Sequence, residues 1–226
     1  MSSGGAKHSE FGARRRVMLV DDHPLVRERL AEVLNEQPDL CVCCEAADRA
    51  EALAGIARVV PDLAIVDLSL RNSHGLDLIK DLLARHPRLP ILVVSMHDES
   101  LYAERVLRAG ARGFITKQEA TQNILSAVRR VLAGDVYVSP QIAARLAVKA
   151  ARPAHAERCG IEQLTDRELQ VLELMGHGLK PRQIAAELHL DIKTVETHRA
   201  RIRQKLGLKN AREVLQYAIE RCRNLG

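Results

Sequence analysis

Short apolar runs alternate five times with stretches of helical period between Val17 and about Ala133, and this alternation limits the possible folds most strongly. The apolar runs predict strands at residues 17–20, 40–44, 63–66, 91–94 and 113–115. The stretches between and after them predict helices at residues 24–36, 49–60, 76–85, 100–109 and 120–133. Because successive parallel strands are joined by a crossover helix, these five βα units predict a five-stranded, doubly wound parallel sheet of the α/β class.

Polar residues follow four of the predicted strands, and their types suit a single chemistry. Asp21 and Asp22 follow the first strand, Asp67 follows the third, Ser95 the fourth and Lys117 the fifth. Since the carboxyl ends of parallel strands lie at one edge of a sheet, we expect these residues to converge on one cleft. A carboxylate at one strand end is commonly a turn residue, but matching groups at four strand ends favour a site.

The chemistry that suits this set is the acceptance of a phosphoryl group. Three carboxylates in one cleft repel each other, and a hard divalent cation such as Mg²⁺ relieves that repulsion. Lys117 and Ser95 add a positive charge and a hydrogen-bond donor for phosphoryl oxygens, and Asp67 can attack phosphorus in line. The sequence therefore predicts an Mg²⁺-dependent phosphoryl-accepting site centred on Asp67.

The charge of the chain differs from segment to segment. Residues 17–138 hold 14 basic and 18 acidic residues, whereas residues 159–226 hold 12 basic and 9 acidic residues. Residues 1–16 hold 4 basic residues and 1 acidic residue among Gly and Ser, and we predict a disordered basic tail there. The positive excess in the C-terminal segment suits a polyanion such as nucleic acid, although it is weak evidence alone.

The cysteines and the longest apolar stretches indicate in which cellular compartment the protein resides. The 5 cysteines cannot all pair with one another, and three of them are crowded at residues 41–44, so we expect reduced thiols. No apolar stretch approaches the roughly 20 residues that a membrane span needs. The N-terminal residues also lack the apolar centre of a signal peptide. We therefore predict a cytoplasmic protein without a membrane partner.

The C-terminal part changes to an entirely helical pattern. We assign residues 134–160 to a linker with one short helix, residues 140–151, and residues 161–226 to a second domain of four helices. Residues 165–168 (TDRE) have the pattern of a capping box, Pro181 suits a first helical turn, and Asp191 is placed to cap the third helix. Two helices joined by a short turn indicate a helix-turn-helix arrangement.

The third of these helices has a buried face and a polar face. Val195, Ile202 and Leu206 are predicted to point inward, and small polar and cationic residues lie opposite them. Such a face suits the major groove of DNA, while a solvated charged face is equally expected from this helix alone. The preceding turn and the basic residues around it favour DNA. The predicted contacts are Lys180, Arg182, Lys193, Thr194, Glu196, Thr197, Arg199, Ala200, Arg203 and Lys205.

The motifs VMLVDDHP (17–24), IVDLS (65–69), VVSM (93–96) and GARGFITK (110–117) resemble the receiver domain of bacterial two-component response regulators. The resemblance covers residues 17–133 and implies a flavodoxin-like fold with strand order 2-1-3-4-5. It implies that Asp67 accepts phosphate from a sensor histidine kinase. It also implies that Mg²⁺ is held by Asp21, Asp22, Asp67 and the backbone carbonyl of Ser69. The groups that sense the phosphoryl group would be Ser95, Lys117 and Phe114.

The motifs LTDRELQVL (164–172), IAAEL (184–188), KTVETH (193–198) and KLGL (205–208) resemble the LuxR-type DNA-binding domain. Together with the receiver, they are similar to the NarL/FixJ family of response regulators. The resemblance implies a transcription regulator that is not an enzyme. It also implies that phosphorylation controls binding to double-stranded promoter DNA, formation of a homodimer, or both.

Two other functions are alternatives to a phosphorylation-controlled transcription regulator. A DNA-binding protein could use its receiver as a phosphorylation-independent dimerisation scaffold, although the complete acidic site argues against it. A metal-dependent phosphatase with an aspartyl nucleophile is less favoured, because such enzymes commonly carry a second acid two residues after the nucleophile. Here that position is Ser69.

Overall fold

A computed structural model describes residues 14–70, 73–150 and 160–223 of the chain. The contacts within it divide the chain into two units between Ala143 and Ala144. Most of the predicted N-terminal tail (1–16) and the end of the predicted linker (151–159) lie outside the described residues.

Five parallel strands form the sheet of the first unit, as predicted. They are β1 (Arg15–Val20), β2 (Leu40–Ala46), β3 (Leu63–Val66), β6 (Ile91–Ser95) and β7 (Gly113–Thr116), in the spatial order β2-β1-β3-β6-β7. This order confirms the one implied by the resemblance. Two short strands, β4 (Ser69–Leu70) and β5 (Ser73–His74), pair antiparallel just after β3, and the sequence did not predict them.

Helices follow each strand of the sheet: α1 (Pro24–Asn35), α2 (Arg49–Arg58), α3 (Gly75–Arg85), α4 (Glu99–Arg108) and α5 (Lys117–Leu132). The prediction was wrong about the start of α5, which begins at Lys117 and not at residue 120. Thr116 and Glu119 form a capping box there, so the helix starts directly after the strand. Lys117 therefore occupies the first helical position, from which its ammonium reaches the carboxylates of Asp21 and Asp67.

The sheet is buried on both faces, which fixes the positions of its strand ends. Val17, Leu19, Ile65 and Leu92 belong to an apolar cluster that includes residues of α1 and α5. Met18 points the other way, toward α2, where a Cβ on Gly55 would meet its side chain. Because each strand is held between two layers of helices, the residues that follow β1 and β3 have little freedom to move.

The segment after α5 attaches to the outer edge of β7. The backbone of Tyr137 accepts a hydrogen bond from Phe114 N (2.8 Å) and donates one to Arg112 O (3.0 Å), which forms a parallel bridge with β7. The Arg130 guanidinium lies 5.4 Å from the centre of the Tyr137 ring. Helix α6 (Pro140–Ala150) follows, and the first residues of the predicted linker are therefore held against the first unit.

The second unit is entirely helical, as predicted. A 3-10 turn (Gly160–Gln163) precedes α7 (Asp166–Gly176), α8 (Pro181–Glu187), α9 (Ile192–Lys205) and α10 (Ala211–Arg223). Thr165 and Glu168 form the predicted capping box of α7, and Pro181 begins α8. Asp191 precedes α9, but its side chain makes no capping hydrogen bond, in contrast to the prediction. Within the described residues, no helix combines the length and apolar character needed to cross a bilayer.

Candidate functional site

The residues after β1 and β3 form a buried acidic pocket with one lysine. Asp21 and Asp67 are 3% and 2% exposed. Lys117 Nζ lies 2.7 Å from Asp21 Oδ2 and 2.7 Å from Asp67 Oδ2, so a single ammonium group bridges both carboxylates. The structure thus brings together three of the residues that the sequence predicted to share a cleft.

The pKa shifts of this pocket follow from burial and charge. Burial is the largest influence on Asp67 and raises its pKa, Lys117 opposes that effect, and Asp21 adds to it. Burial acts to lower the pKa of Lys117, but the attraction of Asp67 and Asp21 prevails and the pKa is raised. Because burial and Asp21 both disfavour the charged form of Asp67, an added cation beside this carboxylate would be favourable.

Asp22 and His23 extend the acidic pocket toward solvent. One ligand atom from each of Asp21, Asp22, His23 and Asp67 lies within 4.8 Å of the others. Asp22 Oδ1 is buried and makes no well-aligned hydrogen bond, although His23 Nδ1 is 2.7 Å away. A buried carboxylate oxygen without an aligned hydrogen-bond donor is suited to binding a cation. The three carboxylates supply the hard oxygen ligands that Mg²⁺ prefers, so the residues fit the predicted metal.

Two residues that the sequence did not single out support this pocket. Arg27, on α1, donates a hydrogen bond to the backbone carbonyl of Asp21 and so holds the loop that carries both acidic residues. Gly75 begins α3 directly beside Asp67, and a Cβ there would overlap the backbone carbonyl oxygen of Asp67. A glycine at the start of a predicted helix is a weak signal, and nothing in the sequence pointed to Arg27.

Ser69, Ser95 and His97 form a hydrogen-bonded chain next to Asp67. Ser69 N donates to Asp67 Oδ1 (3.2 Å), and His97 N donates to the hydroxyl of Ser95 (3.3 Å). The side chains of Ser69 and His97 meet at 3.0 Å between Oγ and Nε2. The His97 ring also lies 4.5 Å from the ring of Tyr102, a buried residue of α4. The structure therefore connects the two serines through a histidine.

Phe114 lies inside the first unit. It is fully buried on β7, one residue after the glycine that bridges to Tyr137. Ser95 is also fully buried, at the end of the neighbouring strand β6. The Ser69 amide faces Asp67, while the Ser69 carbonyl stays a predicted metal ligand.

The predicted DNA-binding residues of the second unit lie on α8 and α9 or, for Lys180, directly before α8, and most are exposed. Val195 and Ile202 are buried as predicted, and Leu206 is half-buried. Thr194, Arg199 and Lys205 are also half-buried. The exposed residues are Lys180, Arg182, Lys193, Glu196, Thr197, Ala200 and Arg203. A polar surface along one side of α9 is therefore present.

Some charged residues of this surface form ion pairs. Arg199 Nη1 lies 2.7 Å from Glu196 Oε1 on the same helix. Lys205 Nζ lies 2.6 Å from Glu168 Oε2, and Glu168 is only 1% exposed although it is acidic. Burial tends to raise the pKa of Glu168, but the hydrogen bond from Lys205 and those from Thr165 hold it below its usual value. The capping-box motif predicted the bonds with Thr165, but it gave no sign of the pair with Lys205.

The two units match two known protein families. Residues 17–129 match the response regulator receiver domain, and residues 162–218 match the bacterial regulatory proteins of the luxR family. Oxygen regulatory protein NreC of Staphylococcus carnosus (strain TM300) is 34% identical over 211 residues, which are 91% of this chain and 97% of NreC. Transcriptional regulatory protein UhpA of Salmonella typhimurium (strain LT2) is 38% identical over 195 residues, which are 86% of this chain and 92% of UhpA.

Solved structures are similar to this chain over most of its length. RcsB, a response regulator from Salmonella typhimurium, superimposes with a TM-score of 0.67 at 26% identity, covering 92% of this chain and 98% of RcsB. RcsB from Salmonella enterica serovar Typhimurium, bound to the promoter rprA in the presence of the phosphomimetic BeF3-, gives a TM-score of 0.63 at 25% identity. That comparison covers 91% of this chain and 98% of RcsB. The chain therefore belongs to the NarL/FixJ family of two-component response regulators, which are DNA-binding transcription regulators and not enzymes.

Proposed function

We propose that this response regulator is switched by phosphorylation of Asp67 and that the switch controls DNA binding or dimerisation by the second unit. The observation that carries the proposal is the buried pair of carboxylates bridged by Lys117. One ammonium group cannot neutralise two buried carboxylates, so the pocket keeps an excess of negative charge that a divalent cation can offset.

The proposed reaction is the transfer of a phosphoryl group from a phosphohistidine of a sensor histidine kinase. An oxygen of Asp67 attacks phosphorus, the new P–O bond forms as the P–N bond breaks, and the leaving imidazole nitrogen takes up a proton. Lys117 is held where its ammonium can leave the carboxylate and pair with a phosphoryl oxygen. Mg²⁺, held by Asp21, Asp22, Asp67 and the carbonyl of Ser69, would supply positive charge to the phosphoryl oxygens.

Ser95 and Phe114 are proposed to pass the change to the rest of the first unit. The Ser95 hydroxyl accepts a hydrogen bond from His97 N, and a turn of its side chain toward a phosphoryl oxygen on Asp67 would let it also donate its proton there. Such a movement would shift the loop between β6 and α4. We propose that Phe114 on the neighbouring strand then repacks, so that the surface formed by α4, β7 and α5 differs between the two states.

The output proposed for the second unit is binding to double-stranded promoter DNA, with α9 in the major groove. The exposed residues on α8 and α9 carry cations at the rim and small polar groups at the centre, which suits contact with phosphates and base edges. Because its proposed target is DNA, we place the protein in the cytoplasm. We also propose that the active form is a homodimer, as is common for regulators that bind paired half-sites.

A labelling experiment tests the first step. The full chain is incubated with Mg²⁺ and a small radiolabelled phosphodonor, next to Asp67→Ala and a control variant, Asp77→Ala, which removes an exposed acid of α3. We expect labelling of the unmodified chain and the control, and none of Asp67→Ala. Labelled Asp67→Ala would refute the assignment.

A binding experiment tests the switch. DNA affinity and oligomeric state are measured with and without the phosphodonor, and we expect phosphorylation to change at least one of them. If the chain is labelled but neither quantity changes, the receiver is a phosphorylation-independent scaffold.

A further inference from the structure

Two buried apolar residues hold helix α9 in the core of its unit, and the half-buried Leu206 packs against the same core. Of its 14 residues, only Val195 and Ile202 are buried. They are seven positions apart and therefore lie on one line along the helix. Contacts along one line fix the distance between α9 and the core but restrain the rotation of the helix weakly. The angle at which α9 meets DNA must therefore depend on contacts besides these two.

The last turn of α9 supplies such a contact through Lys205. Its ammonium lies 2.6 Å from Glu168 Oε2, and the same oxygen accepts a hydrogen bond from Thr165 N at 2.7 Å. Glu168 stands in the first turn of α7 and is almost completely buried. Because a buried carboxylate is strongly disfavoured without a partner, this pair resists separation far more than an exposed pair does.

The residue next to Glu168 holds the other helix of the helix-turn-helix. The guanidinium of Arg167 donates to Leu188 O, at the end of α8, and to Gln170 Oε1 at 2.9 Å. Two neighbouring residues in the first turn of α7 therefore bind the ends of the other two helices: Arg167 binds the end of α8, and Glu168 binds the end of α9. Both helices of the helix-turn-helix are therefore tied by hydrogen bonds to the start of α7.

We infer that the Glu168–Lys205 ion pair sets the orientation of α9 for DNA binding, and that Lys205 is a positioning residue and not a phosphate contact. The inference rests on the proposed DNA binding by the second unit. It changes the predicted set of contacts, because Lys205 acts through Glu168, while Lys180, Lys193 and Arg203 keep their predicted roles.

The two roles of Lys205 lead to opposite expectations for Glu168. If Lys205 contacts a phosphate, replacing Glu168 with glutamine frees its ammonium and removes a negative charge near DNA, so affinity stays equal or increases. If Lys205 positions α9 through Glu168, the same replacement weakens binding. The sign of the change therefore separates the two roles.

The test uses the full chain with Mg²⁺ and the phosphodonor throughout. Its target is a DNA duplex selected by the unmodified protein from a random library, with a scrambled duplex for comparison. Affinity is measured by fluorescence anisotropy for Glu168→Gln, Lys205→Met, the double variant and Lys205→Arg. The control is Lys209→Met, which removes the same charge from an exposed position four residues on. Thermal unfolding establishes that the second unit of every variant is folded at the assay temperature.

We expect Glu168→Gln and Lys205→Met each to weaken binding to the selected duplex by about tenfold or more, with the double variant no weaker than the worse single variant. Binding to the scrambled duplex should change less, because a misplaced helix loses base contacts first. Lys205→Arg should stay within about threefold of the unmodified chain, since arginine can keep the ion pair.

The inference is overturned if Glu168→Gln binds as tightly as the unmodified chain, or more tightly. It is also overturned if Lys205→Met weakens binding to both duplexes alike and lowers the salt slope by about 0.9, as expected for one lost phosphate contact. If the phosphorylated unmodified protein selects no duplex, the proposed function fails and the inference falls with it.

Discussion

Replacing Lys117 with methionine should destabilise the first unit strongly and make its stability depend on Mg²⁺. Methionine fills a similar volume but has no charge, so Asp21 and Asp67 would lose the ammonium group that lies 2.7 Å from both. Both carboxylates are almost completely buried and would then repel each other without a cation between them. The expected result is a lower unfolding temperature in metal-free buffer.

The size of the effect follows from the burial of the pair. Removing one partner of a buried ion pair typically costs about 3–5 kcal/mol. For a unit of this size, that loss corresponds to a fall in unfolding temperature of roughly 6–20 °C. Saturating Mg²⁺ should restore part of the lost free energy of unfolding, about 2.7 kcal/mol when the free Mg²⁺ concentration is roughly 100 times the dissociation constant.

The pH dependence of the same variant has a definite sign. The pKa of Asp67 is already raised from 3.8 by burial, and loss of Lys117 raises it further. The folded state then binds a proton more readily than the unfolded state, so stability falls as the pH rises from about 3.8 to the folded-state pKa. Mild acid should therefore recover stability in Lys117→Met without added Mg²⁺.

Thermal unfolding followed by circular dichroism, with and without Mg²⁺ and across pH, measures these effects. Arg29→Met is the matched control, because the Arg29–Glu32 pair is exposed and should contribute less than about 1 kcal/mol. The reasoning is refuted if Lys117→Met loses no more stability than Arg29→Met, or if Mg²⁺ does not stabilise it.

The remaining predictions concern base reading, acid stability and close packing. The exposed Glu196 can accept a hydrogen bond from the exocyclic amine of cytosine, so Glu196→Ala should relax base preference. The exposed Arg203 suits a phosphate contact, so Arg203→Ala should weaken binding to all duplexes and lower the salt slope by about 0.9, and the reverse pattern would exchange these two roles. The folded-state pKa of Glu168 is lowered from 4.5, so its contribution is complete above pH 4.5 and is lost as the pH falls through that pKa. In Glu168→Gln, the free energy of unfolding of the second unit should consequently fall less steeply as the pH is lowered, and an unchanged pH profile would contradict this. Gly75→Ala should cost about 1–3 kcal/mol, because the added Cβ overlaps the Asp67 carbonyl, and unaltered thermal unfolding would disprove it.

The sequence was sufficient for those features that depend on periodicity and on strand ends. Asp21, Asp67 and Lys117 could be placed together because parallel strands end at a common edge, a property of every such sheet. The same periodicity identified Val195 and Ile202 as the buried residues of α9. These predictions needed only the spacing of residue types along the chain and the general geometry of parallel sheets and helices.

Contacts between elements could not be obtained in this way. The hydrogen bond from Arg27 to the Asp21 carbonyl depends on how α1 leaves the sheet, and the pair between Glu168 and Lys205 depends on the angle between α7 and α9. The start of α5 at Lys117 was missed because a capping box that overlaps the end of a strand carries no apolar periodicity. Such features depend on the packing of whole helices.

The bridge between Tyr137 and β7 also affects how the first unit can associate with other chains. An open sheet has two outer strands, and their unpaired N–H and C=O groups can template the strand of another molecule. Here the Tyr137 backbone pairs with Phe114 N and Arg112 O, so this part of the β7 edge is already occupied. A truncation after residue 133 would uncover it and expose a site for edge-to-edge aggregation. The residues that follow the receiver therefore cover part of an edge that another strand could otherwise use.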